Sequence, residues 1–235
     1  MLNFHKFFTK RNILAILIFA GLGLLALQVP FTQLVGSKVK FTLFDFFGPI
    51  AGGLIGTIPG IVAVFLMQGL NFFLHGAQVV DAGTIIRFFP ILFAAWYFGR
   101  KSIFNLIIPA VAILAFWTHP IGREAWFFAL YWLIPIACYF ARERWLLARA
   151  LGATFTAHAV GGALWIHTFG TSKDIWLSLI PVVAMERGLF ALGIAATYLV
   201  LNNALNFLQE RKILKLEKLE FLIDKRYTWN GARSR

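Results

Sequence analysis

The sequence predicts an all-α fold: a polytopic transmembrane bundle of about six to eight helices with both termini in the cytoplasm. Three observations lead there. The 235-residue chain is 60% hydrophobic and only 14% charged, whereas a water-soluble domain carries roughly 25% charged residues. Apolar runs recur from Asn12 to Phe207, interrupted by short stretches that hold nine of the eleven Lys and Arg between those bounds. Those basic residues are also sided, in the manner of loops that stay on the cytoplasmic face.

Backbone in hydrocarbon must satisfy its own hydrogen bonds, so spans are helices or closed barrels. These runs are too long for barrel strands and do not alternate, which predicts helices. The first, 12–29, follows a polar, basic start and is long enough to cross. Next come 42–56 and 58–75, separated by a tight Thr57–Gly60 turn marked by Pro59-Gly60. Then follow 84–98, stopped by Arg100–Lys101, and 103–118, 125–141, 150–167 and 176–206. Crossing the membrane with each run leaves sixteen Lys and Arg on the cytoplasmic side and four outside, with Arg87 and Arg187 inside spans. Fusing 42–75 into one helix puts basic loops on the wrong side. Eight spans therefore fit best, or six with two re-entrant or interfacial pieces.

This division gives a helical membrane domain, 1–207, and a basic cytoplasmic tail, 208–235, in a multi-pass protein of the cell membrane. From Gln209 to Arg226 the tail reads as an extension of the last helix. There Leu214, Leu216, Leu219 and Leu222 mix with Lys and Glu, as on a lipid-surface helix or a docking element. The net charge of +12 punctuates spans and clusters at the C-terminus. It sets orientation and attracts anionic lipid, and does not mark a nucleic-acid surface. One cysteine, Cys138, excludes an internal disulfide framework and a cysteine metal cluster.

Gly48, Gly52, Gly56 and Gly60 recur every four residues. Positions four apart share a helix face, and a face without Cβ atoms lets another backbone approach closely. The stripe predicts tight helix packing within the bundle, or a face for a second copy or partner.

Glu186 and Arg187 lie about ten residues from Trp176, or ~15 Å into the span at 1.5 Å per residue. Charges at that depth face the bundle interior or a wet cavity and need partners there. His158 reaches a similar depth on the preceding span, within reach of Glu186, and Gly161 and Gly162 leave room beside it. Trp165, seven residues on from His158, is the candidate for stacking on a planar ligand. Asp45 and Arg87, near the outer ends of their spans, are candidates for the rim of an outward-facing pocket. The other tryptophans read as an interfacial belt. No GxSxG, HExxH or GxxxxGK[ST] signature occurs. The residues therefore imply no cofactor, no metal and no nucleotide hydrolysis by the P-loop route.

Residues 38–76 (KVKFTLFDFFGPIAGGLIGTIPGIVAVFLMQGLNFFLHG) resemble the second and third helices of the substrate-binding S components of energy-coupling-factor vitamin transporters. Residues 84–101 are similar to that family's next helix. LGATFTAHAVGGALWIHTFG with the helix through Glu186 resembles its last two. The likeness covers roughly 12–101 and 150–207, and 103–141 reads as an additional pair. It implies a non-enzymatic uptake subunit that binds a small vitamin-like molecule with His158, Trp165, Glu186, Arg187, Asp45 and Arg87. Its implied partners are membrane lipid, the small molecule, a coupling transmembrane subunit and an ATPase pair. The residues alone leave two alternatives open: an intramembrane enzyme using His158 and Glu186 on a lipid or prenyl substrate, or a non-catalytic assembly protein.

Overall fold

A computed structural model describes residues 9–33, 40–75, 82–211 and 221–229. Lys6, Lys38 and the 212–220 part of the tail lie outside the described residues. Among the described residues the chain is mostly helical, apart from a short antiparallel ribbon of β1 (Pro30–Gln33) and β2 (Lys40–Thr42), turns, and an extended stretch at 221–224.

The helices follow the apolar runs closely. α1 is Lys10–Leu27, α2 Phe44–Leu54 and α3 Thr57–His75. α4 (Ala82–Phe88) and α5 (Pro90–Gly99) share one run, divided where Pro90 cannot donate back into α4. α6 is Phe104–Thr118, and a short α7 (Pro120–Glu124) turns the chain. A 3₁₀ stretch, Trp126–Trp132, leads into α8 (Leu133–Ala141). α9 (Leu146–Phe169) and α10 (Lys173–Glu210) form a long final hairpin, closed by Gly170 in the left-handed conformation.

Successive runs alternate in direction. Phe19 of α1 stacks on Phe47 of α2 at 4.2 Å, and Leu43 N–H donates to the Val29 carbonyl, so α1 and α2 are antiparallel. Gln28 meets Asn71 at the far end of α3. The predicted break between the second and third runs is real, but lies at Ile55–Gly56 rather than Thr57–Gly60. Gly56 has φ +92°, which only glycine adopts without strain, and there the chain reverses. Pro59 instead sits in the first turn of α3, where its missing N–H has no helical acceptor to lose.

The glycine stripe is used inside the bundle, on two helices. A Cβ on Gly48 would meet Ile91 of α5 at 3.0 Å, and one on Gly52 would run into the Ala95 carbonyl oxygen. A Cβ on Gly60 would lie 2.6 Å from the Ala51 carbonyl carbon of α2. Gly48 and Gly52 thus seat α5, Gly60 seats α2 against α3, and Gly56 is the turn.

One end of the bundle collects Leu54, Phe98, Arg142, Glu143, Arg149 and Asn202 through contacts with each other and with 221–229. Arg142 and Arg149 cap α5 there. Arg142 Nη2 donates to the Tyr97 carbonyl at 2.6 Å, and Arg149 Nε donates to the Phe98 carbonyl at 2.6 Å. Such donors answer the orphan carbonyls at a helix C-terminus. Burial, with the neighbouring Arg149 charge, pulls Arg142 down to about 10, which leaves it charged at neutral pH.

Among the described residues two helices, α3 over Thr57–Leu74 and α10, are long and apolar enough to cross a membrane, and four shorter apolar helical stretches accompany them. Leu25, Phe73, Leu74, Phe140 and Val200 each leave more than 60% of their surface open. The core beneath them holds Phe47, Ile50, Leu54, Met67, Tyr97 and Phe98. A second cluster, towards the other end of α9, holds Phe116, Phe128, Trp132, Phe155 and Trp176.

The tail does not continue α10 as a helix over 221–226. α10 ends at Glu210, and residues 221–224 run extended before a 3₁₀ turn at Lys225–Tyr227. This segment lies back against the bundle, with Leu222 N–H donating to the Leu54 carbonyl at 2.7 Å.

Candidate functional site: a buried charge cluster around Arg187

Arg187 is buried on the inner face of α10, thirteen residues before Val200, where a lone guanidinium would be prohibitively desolvated. Four neighbours answer it. Glu186, also buried, places Oε2 at 3.7 Å from Arg187 Nη2. Adjacent helical residues point ~100° apart, and the length of both side chains lets them meet nonetheless. Thr154 of α9 lies at 3.4 Å from Nη1, and the ring of Phe190 sits 4.3 Å from the guanidinium carbon. Asp45, in the first turn of α2, acts on Arg187 through its charge. Asp45 itself accepts the Thr42 N–H at 2.9 Å, a local cap that fixes its direction.

His158 is held from a different side. Its Nδ1 accepts the Trp132 indole N–H at 3.0 Å, which leaves the ring proton on Nε2. Phe128, Trp132 and Phe155 surround the ring with centroids at 5.7 to 6.1 Å. His158 still lies within the electrostatic reach of Arg187. The expected His158–Glu186 contact is replaced by the tryptophan bond, while Glu186 turns to Arg187.

Among the sequence candidates, then, Asp45, Glu186 and Arg187 form one cluster, with His158 at its edge. Trp165 lies apart. Its indole donates to the Thr171 hydroxyl at 3.1 Å and its ring packs on Phe169 at 4.3 Å, at the loop end of α9. Seven residues are two helical turns, or about 10.5 Å of rise, which carries Trp165 away from His158. Arg87 is exposed in the last turn of α4, where the next residue, Phe88, packs on Phe65 and Phe72 of α3.

Trp132, Thr154 and Phe190 carry no role in the sequence reading, yet they are the immediate neighbours of His158 and Arg187. Thr154 was findable, because it lies one helical turn before His158 on the same face. Trp132 was not, since nothing local links residues 26 apart. Two surface spaces lie away from this cluster. A groove of about 390 Å³ is lined by Trp117, Arg123 and Trp126. A second space, of about 310 Å³, is lined by Phe127, Leu130, Tyr131, Ile134 and Ile180. Neither borders Glu186, Arg187 or His158. No group of three metal-ligating side chains occurs among the described residues. No family model, no curated protein and no solved structure matches this chain.

Chemically, one carboxylate, Glu186, pairs with the guanidinium, Asp45 adds its charge, and His158 already accepts a hydrogen bond. Aromatic rings of α9 and the 3₁₀ stretch surround His158. Such a site favours a group that donates hydrogen bonds or carries positive charge on a planar frame.

Proposed function

We propose that this chain is a multi-pass subunit of the cell membrane that binds a small, vitamin-like molecule for uptake, with energy supplied by separate ATPase subunits. The observation that carries the reading is the Arg187 cluster. Charges from α2 and α10, with a hydroxyl from α9, converge inside an apolar bundle, and buried ionisable groups at such depth mark ligand and ion pathways. The open Leu and Phe surfaces of α1, α3, α8 and α10 suit lipid. The basic end suits the cytoplasmic face. The resemblance of 38–76 and 150–207 to S components supports the same role.

In this reading the ligand exchanges with the internal pairing. A donor or cationic group of the ligand takes Glu186, and Arg187 keeps Asp45. The ligand is therefore a planar molecule with a cationic or donor-rich ring, in preference to a simple anion. Purification in mild detergent tests the proposal, with identification of what co-elutes. The expected result is a stoichiometric small molecule together with an ATPase pair. Empty protein that binds nothing in a panel of water-soluble vitamins contradicts it.

One observation favours a second reading, a non-catalytic assembly role: Glu186 already pairs with Arg187 inside the chain. In that case, replacing Asp45, Glu186 and Arg187 together by neutral residues leaves the chain's cellular role intact. The enzyme alternative gains nothing comparable, because the Trp132 indole already occupies Nδ1 of His158, the ring nitrogen that would take up a proton.

A further inference from the structure

Asn202, Asn203 and Asn206 are buried on the last three turns of α10, at the basic end of the bundle. Two of them hold main chain at both polar ends of the amide. Asn202 donates from Nδ2 to the Asp224 carbonyl at 3.0 Å and accepts the Asp224 N–H at 2.8 Å. Asn203 donates to the Tyr227 carbonyl and accepts the Trp229 N–H, each at 2.8 Å. An amide that gives and takes in this way imitates the edge of a neighbouring strand. Asn206 accepts from the Lys225 ammonium, and the Leu54 carbonyl accepts the Leu222 N–H.

Most of these bonds read backbone, so they do not depend on which side chains occupy the segment. Three features set its register. The Asp224 carboxylate lies 4.0 Å from the Arg149 guanidinium. Tyr227 meets Tyr198 edge-on with centroids 6.0 Å apart. Thr228 is buried, and its hydroxyl donates to the Lys225 carbonyl at 3.0 Å. Left uncovered, the asparagine amides would face other groups or water without these partners, and a buried unpaired amide is costly. The seat is built to be filled.

We propose that this end of the bundle is a docking site for an extended peptide that carries an acidic residue followed, three positions on, by an aromatic ring. The chain's own 221–229 segment is its resident occupant, and a partner protein's segment of the same pattern exchanges with it. Arg149, on the wall of the seat, complements the acidic residue of such a segment.

The test uses the full-length chain in detergent and a fluorescein-labelled peptide of residues 221–229. A tethered segment has an effective concentration in the mM range, so the unaltered chain excludes the free peptide. Asp224→Arg places like charge beside Arg149 and releases the resident segment. The Asp224→Arg chain is expected to bind the peptide about tenfold or more tighter than the unaltered chain. Adding Asn202→Ala and Asn203→Ala should abolish that gain. Three outcomes overturn the proposal. One is an Asp224→Arg chain of unchanged helicity and melting that gains no affinity. Another is affinity that survives the asparagine changes. The last is an Asp224→Arg chain that loses its helical signal, because the segment is then part of the core and not an exchangeable ligand.

Discussion

At Arg187 one guanidinium answers to Glu186 at 3.7 Å and to the field of Asp45. Breaking a buried pair by removing one partner costs more than the pair is worth, typically 3–5 kcal/mol, because a charge is left alone. Arg187→Gln is therefore expected to destabilise the bundle by about that amount in detergent melting experiments. Adding Glu186→Gln to Arg187→Gln should recover part of the loss, since the stranded charge is gone. Equal losses in the single and double variants would show that the two side chains do not depend on each other. That these residues would be buried and in need of partners was legible in the sequence, where charges stand out in an apolar run. Their pairing was not. Glu186 and Arg187 diverge on an ideal helix, and it is rotamer choice that joins them. Trp132 illustrates the remainder: its bond to His158 crosses between segments, and a linear pattern carries no record of it.

The element scale turns on α2, α3 and α5. Gly52 lets the Ala95 carbonyl lie where a methyl group would stand, whereas Gly69 of α3 has nothing within 4 Å of that position. Gly52→Ala is expected to cost 1–3 kcal/mol or more through overpacking, while Gly69→Ala should be neutral or slightly stabilising because alanine favours helix. Thermal melts of the two variants side by side check this, and similar melting points would refute the packing account. The break between α2 and α3 was readable from Pro59-Gly60. Its position slipped by one turn because proline fits a first helical turn as well as a loop.

The tail is the opposite case. Its Leu, Lys and Glu pattern reads as helix, yet over 221–229 the asparagine amides of α10 override that propensity with main-chain bonds. Its acid response follows from Asp224. Burial raises this carboxyl, but the hydrogen bonds from Arg226 and the charges of Arg226 and Arg149 outweigh burial and hold it below its ordinary 3.8. A depressed folded-state pKa stabilises fully above the unfolded value and is lost as pH falls through the folded one. Hydrogen-exchange protection of 221–229 should accordingly stay level from pH 8 to about 5 and decline only below about 4. A loss of protection between pH 7 and 5 would contradict this assignment.

For the whole molecule, the reading from Lys and Arg expects eight runs that cross a membrane in alternation; the structure shows helices over these runs, two of them long and apolar enough to cross. Single cysteines at Lys101 and Arg144 should label from one side of a sealed vesicle, and cysteines at Arg123 and Lys173 from the other, with Cys138 replaced by Ala. Labelling of all four from one side would refute the embedded bundle. What the sequence could not convey was whether the deep polar residues enclose space, because side-chain closure depends on three helices at once. The account rests most heavily on Glu186 as the group a ligand takes over. Equilibrium titration of the purified protein with the molecule that it retains, compared with Glu186→Gln, tests this most directly. The account predicts at least a tenfold weaker affinity in the variant, about 1.4 kcal/mol, measured below the melting transition of the variant, which loses the Arg187 pairing and melts lower. Equal affinity in the two proteins would contradict it.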